Sequence, residues 1–505
     1  MGFELTEEQT AIRESARQGD AGRVIAYAGT GKTATLRIIA EARPRDRVLY
    51  LAFNRAIAEE ARHRMPANTQ ARTTHQVAFA ATRAWRGSRP VVSSWWRLKR
   101  DISRHESEAI EQCRMYGRGW DSAFAAVAET MTRYCNSADP LPAPHHVPRD
   151  VVTRYEVAAA RLEGEPGSDQ AQRSFEVGVR RALAASARRV WEAVVAHNDW
   201  PVTHDAYLKI WQLSEPVLSA DLVLFDEAQD AAPVQQAVVL HQPGCVWMVG
   251  DPHQAIYEWR GAIDALSQYH APSHPLSRSW RFGPTIAQTA GQVLSEWGVT
   301  PPLSGGGAPG AVVIDRMSSD PGYHALAAHS QRAILCRSNM GVLTAAVAEL
   351  DAGRAVAVVG GGDAVADELE SAVALWYGQR PRHADLRDFT QWEELELMAH
   401  APSGVHWRPI VKLVSGNPDR ATRLAQRLRR ELVSESLAGV VISTGHKAKG
   451  RQWPAVVLGE DWQSFRNDDD TVNESEARLW YVACTRAMTV LDLSRVQAEW
   501  TRNFS

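Results

Sequence analysis

Lysine is scarce in this 505-residue chain. Only six of its 56 basic residues are lysine, at positions 32, 99, 209, 412, 447 and 449, and arginine supplies the rest. Where arginine is the default cation, a retained lysine marks a place that needs a compact ammonium. The five cysteines (113, 135, 245, 336, 484) are scattered, with no Cys-x-x-Cys pair. That excludes a zinc ribbon, an iron–sulfur cluster and a disulfide framework. No apolar run approaches the roughly 18–20 residues a membrane span requires, so no membrane partner is expected. The net charge of −3 gives no bulk attraction for nucleic acid, which must then rest on local sites. The opening MGFELTEEQTAIRESARQ is an acidic amphipathic helix pattern, not a basic region followed by an apolar stretch. No secretory signal is read there, and a cytoplasmic location is expected.

The length calls for two or more domains, and 45% hydrophobic with 23% charged residues reads as globular. Residues 23–41, RVIAYAGTGKTATLRIIAE, run as a short apolar strand, a Gly-rich turn and a helix of 3.6-residue period. This is the setting of a phosphate-binding loop. Backbone amides from Gly29 to Thr33 can wrap a β-phosphate, Lys32 can neutralise β/γ oxygens, and the Thr33 hydroxyl can hold Mg²⁺. The strict pattern begins with glycine, where this chain has Ala26. A second apolar strand ends in carboxylates, DLVLFDEAQD at 221–230. Asp226 would take Mg²⁺ through water and Glu227 would orient and deprotonate the water attacking the γ-phosphate.

Lys32 and Asp226 lie too far apart for adjacent units of one sheet, which points to an insert over 81–199, Arg-rich and helical in pattern. Trp95, Trp96 and nearby basic residues suit either stacking on nucleic acid or a helical core with a basic face, and the second reading is favoured. His145–His146 reads as a loop feature, with no further metal ligand nearby.

The ordered motifs LTEEQ (5–9), AYAGTGKT (26–33), LAFNRAIAEE (51–60), RTTHQVA (72–78), LFDEAQD (224–230), MVGDPHQAIYEWRGA (248–262), LSRSWRFGPTIA (276–287), VVISTGHKAKGRQWPAVVLGED (440–461) and ARLWYVACTRAM (477–488) span nearly the whole chain. Together they resemble the superfamily 1 helicases of the UvrD/Rep/PcrA type, with RTTH and the short length similar to the F-box DNA helicase branch. The resemblance implies an α/β fold of two RecA-like P-loop domains. The first would be 1–80 with 200–275, carrying the insert 81–199; the second would be 276–375 with 437–505, carrying a reduced insert 376–436. It implies ATP and Mg²⁺ as cofactors, with single-stranded and tailed duplex DNA as partners. It also implies 3′→5′ translocation coupled to strand separation.

Carried over residue by residue, the resemblance makes Gln9 the adenine reader. Ala28, Gly29, Thr30, Gly31, Lys32, Thr33 and Thr35 become nucleotide-binding, with Trp280 where the family has a tyrosine on adenine. Gln254 would touch the γ-phosphate, while Tyr257, Trp259 and Arg260 on the same loop reach the strand. Arg281 and Arg486 resemble arginine fingers from the second domain. Phe53, Asn54, His75, Thr444, His446, Lys447 and Lys449 match DNA-contacting positions. Gln452 stands where the family has a glutamate near the ribose, and Ala477 replaces an arginine before Arg478. Two rival readings are a translocase that strips proteins from DNA with little unwinding, and an ATP-gated DNA-binding sensor. A monomer is expected, with oligomerisation left open, and repair, replication or defence proteins are the partner classes.

Overall fold

The computed structural model describes residues 4–163, 169–256, 264–315, 329–383, 385–387, 389–400 and 407–504. Two six-stranded sheets, each wholly parallel, organise the chain. The first contains β1 (Gly22–Ala26), β2 (Val48–Ala52), β3 (Thr69–Thr73), β4 (Leu222–Asp226), β5 (Cys245–Gly250) and β6 (Ser273–Leu276), in the order β3-β2-β4-β5-β1-β6. Strands β2 and β4 are buried at every position. Their unbroken apolar runs suit a parallel sheet covered on both faces, and separate clusters of buried side chains lie against it. The second sheet contains β7 (Ala311–Val313), β8 (Arg332–Cys336), β9 (Val356–Val358), β10 (Val440–Thr444), β11 (Trp453–Leu458) and β12 (Ala487–Asp492), in the order β7-β12-β11-β8-β10-β9. The chain therefore has the expected α/β architecture, consistent with two RecA-like domains. Tyr27, Ala28 and Ile256 of the first half are packed into a core of the second half, so the two are closed on each other.

The helices that matter for the site are α1 (Glu7–Gln18), α2 (Lys32–Ala42), α3 (Arg55–Arg64) and α4 (Thr74–Ala81) around the first sheet. Between β3 and β4, α5 (Trp120–Asn136), α6 (Arg149–Glu163) and α7 (Asp169–Ala196) gather a core of their own. A two-residue parallel pairing, Val91–Val92 with Val202–Thr203, ties the ends of this helical region together. Trp95 is buried in that core, and Trp96 packs edge-on against Phe124 at 5.0 Å with the Arg387 guanidinium 4.3 Å from its ring centroid. Packing accounts for both rings.

One expectation is corrected here, because Asp139 does join the His145–His146 pair. Its Oδ2 lies 2.6 Å from His145 Nε2 and 3.0 Å from His146 Nε2. His146 Nδ1 accepts the Ala143 amide at 2.9 Å, which leaves the ring proton on Nε2. That nitrogen donates and has no lone pair for a metal, so the trio fastens a loop. Between β9 and β10, α8 (Asp363–Trp376), α9 (Trp392–His400), α10 (Arg408–Gly416) and α11 (Pro418–Glu431) pack on one another, and α12 (Glu474–Cys484) leads into β12. Among the described residues no helix is long and apolar enough to cross a membrane.

Candidate nucleotide cleft

Parallel strands put all their carboxyl ends on one edge, and ligands of α/β sheets gather there. The candidate residues of the first half follow such ends, Gly29–Thr33 after β1, Phe53–Asn54 after β2, Asp226–Glu227 at the end of β4 and Gln254 after β5, while Trp280–Arg281 come after β6, where the chain passes into the second half. Arg486 and Lys449 arrive from the second half. All but the buried Asp226 line a cleft of about 590 Å³ that holds Lys32, Thr33, Glu227, Gln254, Arg281 and Arg486 on one wall or the other.

The loop conformation is dictated by glycine. Gly29 and Gly31 have φ of 76° and 87°, a region closed to most side chains. A Cβ on Gly29 would sit 2.5 Å from Ser279 Oγ and 2.7 Å from Arg281 Cβ. Helix α2 starts at Lys32, and the Thr35 amide already bonds to the Gly31 carbonyl at 3.0 Å. The amides before it precede the first intrahelical bond, and α2 has no side-chain cap, so its N-terminus is suited to an anion.

Charges are concentrated around this loop. Lys32 Nζ lies 3.1 Å from Glu227 Oε2, and Gln229 Nε2 donates to the same oxygen at 2.6 Å. Burial pushes the Lys32 ammonium down, but Glu227, Asp251 and Asp226 outweigh it and hold the pKa above its ordinary value. Burial pushes Glu227 up, yet Lys32 and Lys449 bring it down to about 2. Asp226 is less well compensated. Burial and Glu227 raise it to about 6, against the Tyr50 hydroxyl that donates to it and the nearby Lys32. The under-compensated Asp226 carboxylate and the hydroxyl of Thr33, a residue lining the cleft, are hard oxygen donors of the kind Mg²⁺ takes. Glu227 also has φ 50°, an uncommon left-handed conformation for a non-glycine residue. Such backbone persists where the surroundings over-determine it.

From the second half, Arg486 is 1% exposed and its Nη2 donates to Gln254 Oε1 at 3.1 Å. Burial pushes its pKa down without removing its charge. Arg281 Nε donates to Gln452 Oε1 at 2.9 Å, and its Nη1 to the Thr485 carbonyl at 2.9 Å. Trp280 lines the cleft, 40% exposed, with the Arg278 guanidinium 4.6 Å from its ring centroid.

Other candidates are held by protein partners, within the cleft lining or outside it. Gln9 and Thr35 are buried behind the loop and bonded to each other, Nε2 to Oγ1, at 3.4 Å. Gln9 also closes a capping box with Thr6, so its amide is occupied by protein. Ala28 donates its amide to the Tyr481 hydroxyl at 3.0 Å, and Thr30 Oγ1 bonds to the Tyr27 carbonyl at 2.8 Å. Lys449, expected on DNA, has its Nζ bonded to Asp230 Oδ1 at 2.6 Å and to the Gln254 carbonyl, inside the cleft. Phe53 is 42% exposed at the cleft rim, and Asn54 accepts the Ile57 amide as the cap of α3. His75 lies edge-on to Tyr207, and burial lowers its pKa to about 4, so it is neutral at pH 7. Thr444 is buried at the end of β10, accepting the Lys447 amide at 3.2 Å, with His446 half-buried and Lys447 exposed. Tyr257, Trp259 and Arg260 lie outside the described residues.

Four participants were not singled out from the sequence: Tyr50, Asp230, Asp251 and Tyr481. Asp230 lay in a quoted motif, but its partner Lys449 is 219 positions away. Tyr50 and Tyr481 sit in apolar runs, where a tyrosine reads as core.

A family model described as an AAA domain matches residues 8–260, half of the chain, and a second, described as a UvrD-like helicase C-terminal domain, matches 439–491. The chain is 28% identical to F-box DNA helicase protein 1 of Schizosaccharomyces pombe over 97% of its own length and 57% of that protein's. It is 27% identical to F-box DNA helicase 1 of Gallus gallus, covering 97% of this chain and 49% of the relative. Identity to ATP-dependent DNA helicase UvrD2 of Mycobacterium tuberculosis is 26%, over 93% of this chain and 76% of the relative. The chain thus spans about half the length of the two F-box relatives. By these matches and by its paired parallel sheets, the chain belongs to the UvrD-like helicases of superfamily 1.

Proposed function

We propose that the protein is an ATP-dependent 3′→5′ single-stranded DNA translocase that separates duplexes. One observation carries this reading: the cleft joins a phosphate loop and a carboxylate from the first half to two arginines from the second. Residues 1–80 and 200–275 are proposed as the first motor domain around the insert 81–199, and 276–375 with 437–505 as the second around 376–436. DNA-helicase relatives from three organisms support the choice of substrate.

In the proposed mechanism the amides of Gly29 to Thr33 cradle the β-phosphate, and Lys32 leaves Glu227 to neutralise β/γ oxygens. Glu227, released, takes the proton of the attacking water. Thr33 and Asp226 would hold Mg²⁺, which would supply charge neutralisation on the phosphates. Arg281 and Arg486 stabilise charge on the transferring group and reach it only when the halves are closed. Gln254 links that event to the loop carrying Tyr257 and Trp259, whose rings would stack on bases, a contact worth roughly 1–3 kcal/mol each. Phe53, Asn54, His75, Thr444, His446 and Lys447 extend the proposed strand path. Lys449 is reassigned to holding Asp230 and Gln254 across the cleft.

The test is strand displacement on duplexes carrying a 3′ or a 5′ single-stranded tail, with displacement of a bound protein measured in parallel. Unwinding from the 3′ tail with DNA-stimulated ATP turnover is expected. Protein displacement without unwinding would favour the stripping translocase, and DNA binding with negligible turnover the sensor.

A further inference from the structure

Tyr481 belongs to the second half, on α12, yet its side chain is completely buried against the first. Its hydroxyl accepts the Ala28 amide, at the start of the phosphate loop, at 3.0 Å and donates to Asp251 Oδ2 at 3.2 Å. That carboxylate oxygen also accepts Gln254 Nε2 at 2.6 Å. The other end of the Gln254 amide, Oε1, accepts Arg486 Nη2 at 3.1 Å. Arg486 follows Tyr481 by five residues and is fixed to the same helix end through its Nε bond to the Val482 carbonyl at 2.8 Å. The bonds therefore form a closed circuit: Tyr481 to Asp251, Asp251 to Gln254, Gln254 to Arg486, and back along the chain to Tyr481. Both of its crossings between the halves start from one short segment.

The circuit has a definite polarity. An amide side chain presents one donor end and one acceptor end. Asp251 can engage only the NH₂ end of Gln254, and Arg486 only the carbonyl end. Asp251 is fully buried in the closed state. A buried carboxylate needs its donors, and Tyr481 is one that arrives only with the second half. When the halves part, Tyr481 and Arg486 leave together, and Gln254 loses both the direct arginine contact and the donor that helps to fix Asp251. Burial beside Asp251 keeps the phenol pKa far above its ordinary value, so the hydroxyl stays a donor at any working pH.

We infer that Tyr481 is a positioning residue that makes the orientation of Gln254, and through it the hydrolytic step, conditional on closure of the two halves. This rests on the proposed reading of the cleft as a site of ATP hydrolysis. The phenylalanine variant keeps the ring in its packing and removes only the two bonds of the hydroxyl.

The experiment measures ATP turnover at saturating DNA, KM for ATP, affinity for a fluorescent ADP analogue and melting temperature, in the wild type, Tyr481→Phe, Asp251→Asn and the double variant. Tyr481→Phe is expected to lower kcat about ten- to hundredfold, the size of a misplacement near 1 Å. KM and nucleotide affinity should stay within about threefold, because the hydroxyl bonds only the Ala28 amide, ahead of the cradle, and neither Lys32 nor the amides of Gly29 to Thr33. Asp251→Asn should give the same kcat-selective loss. The double variant should be no worse than the more damaged single, since contacts in one circuit are not additive. Parallel losses of kcat, affinity and melting temperature, or losses that multiply in the double variant, overturn the inference. So does a Tyr481→Phe enzyme that turns over at the wild-type rate. A wild type without DNA-stimulated turnover refutes instead the reading of the cleft itself.

Discussion

Replacing Gly29 by alanine separates nucleotide binding from turnover, because of where the new methyl group points. The three nearest atoms to an added Cβ are Ser279 Oγ at 2.5 Å, Arg281 Cβ at 2.7 Å and the Arg281 amide nitrogen at 3.4 Å. Ordinary carbon contacts need about 3.5–4.0 Å, so the segment carrying Arg281 must retreat by roughly 1 Å. Alanine in this left-handed conformation adds about 1–2 kcal/mol of backbone cost. At roughly 2–4 °C per kcal/mol the melting temperature should fall by several degrees. Neither Lys32 nor an α2 amide is among the three atoms nearest that Cβ, so affinity for ADP should fall only a few-fold. Turnover depends on Arg281, and a displacement of that size costs about a hundredfold. Fluorescent nucleotide titration, differential scanning fluorimetry and ATPase assays at saturating DNA read the three quantities. A Gly29→Ala protein with near-normal turnover would refute the reasoning, as would one in which binding fails as completely as hydrolysis.

Lys32→Ala should abolish both nucleotide binding and turnover, whereas Glu227→Gln should retain binding and lose turnover; ATP hydrolysis by Glu227→Gln within a few-fold of wild type would remove the assigned base. Asp226 lies near pKa 6 in the folded chain, so protons compete with Mg²⁺ below that pH, and half-saturating Mg²⁺ should rise about tenfold per pH unit there. The sign follows from the metal needing the ionised form, and an unchanged Mg²⁺ requirement from pH 7.5 to 5.5 contradicts it. Turnover should be low without DNA and rise strongly with single strands, because Arg281 and Arg486 act only in the closed state; equal rates with and without DNA exclude that dependence. Trp259→Ala should weaken DNA binding by about ten- to a hundredfold and lose more unwinding than hydrolysis, with Trp259→Phe recovering much of it; equal losses of both would place Trp259 outside the coupling.

Much of the cleft was legible in the sequence because each motif caps a strand, and parallel strands bring their ends to one edge whatever the connections between them. The strand–glycine–helix pattern at 23–41 and the buried run ending in Asp226 needed only periodicity and chemistry. What was not legible depends on closure. Lys449 carries a motif position that suggests DNA, and only the packing of the halves turns its ammonium toward Asp230. Gln9 did leave a local trace, since Thr6-x-x-Gln9 before an amphipathic run is a capping-box signature. Tyr481 left none: in the run Leu479–Cys484 a hydroxyl looks like any other buried tyrosine.

The scarcity of lysine acquires a physical reason at four of the six positions. Lys32 faces Glu227, with Asp226 and Asp251 close enough to raise its pKa. Lys449 fits one ammonium between a carboxylate and a carbonyl with its side chain 10% exposed. Lys209, fully buried, donates to the Ser137 carbonyl at 2.9 Å and Gln212 Oε1 at 2.8 Å, 4.9 Å from the Tyr134 ring centroid. Lys99 pairs with Asp121 beside the rings of Trp96 and Trp120. At Lys449 and Lys209 two acceptors converge on the ammonium, and at Lys32 and Lys99 one carboxylate receives it; a guanidinium would carry several of its five donors into surroundings without matching acceptors. Arg486 shows the opposite geometry. Its fork meets the Val482 carbonyl at 2.8 Å, Thr485 Oγ1 at 3.0 Å, Gln254 Oε1 at 3.1 Å and the Arg451 carbonyl at 3.3 Å, spread around the plane. Lys412 and Lys447 are exposed, and nothing in the structure explains the choice of lysine at Lys412. In a chain that defaults to arginine, these four lysines therefore mark where one or two acceptors take a compact ammonium, and Lys32 and Lys449 line the cleft from opposite halves. Lys32 is in position as soon as the first half folds. Lys449 reaches Asp230 only when the second half closes on the first, so in the proposed mechanism one ammonium serves nucleotide binding and the other the closed state.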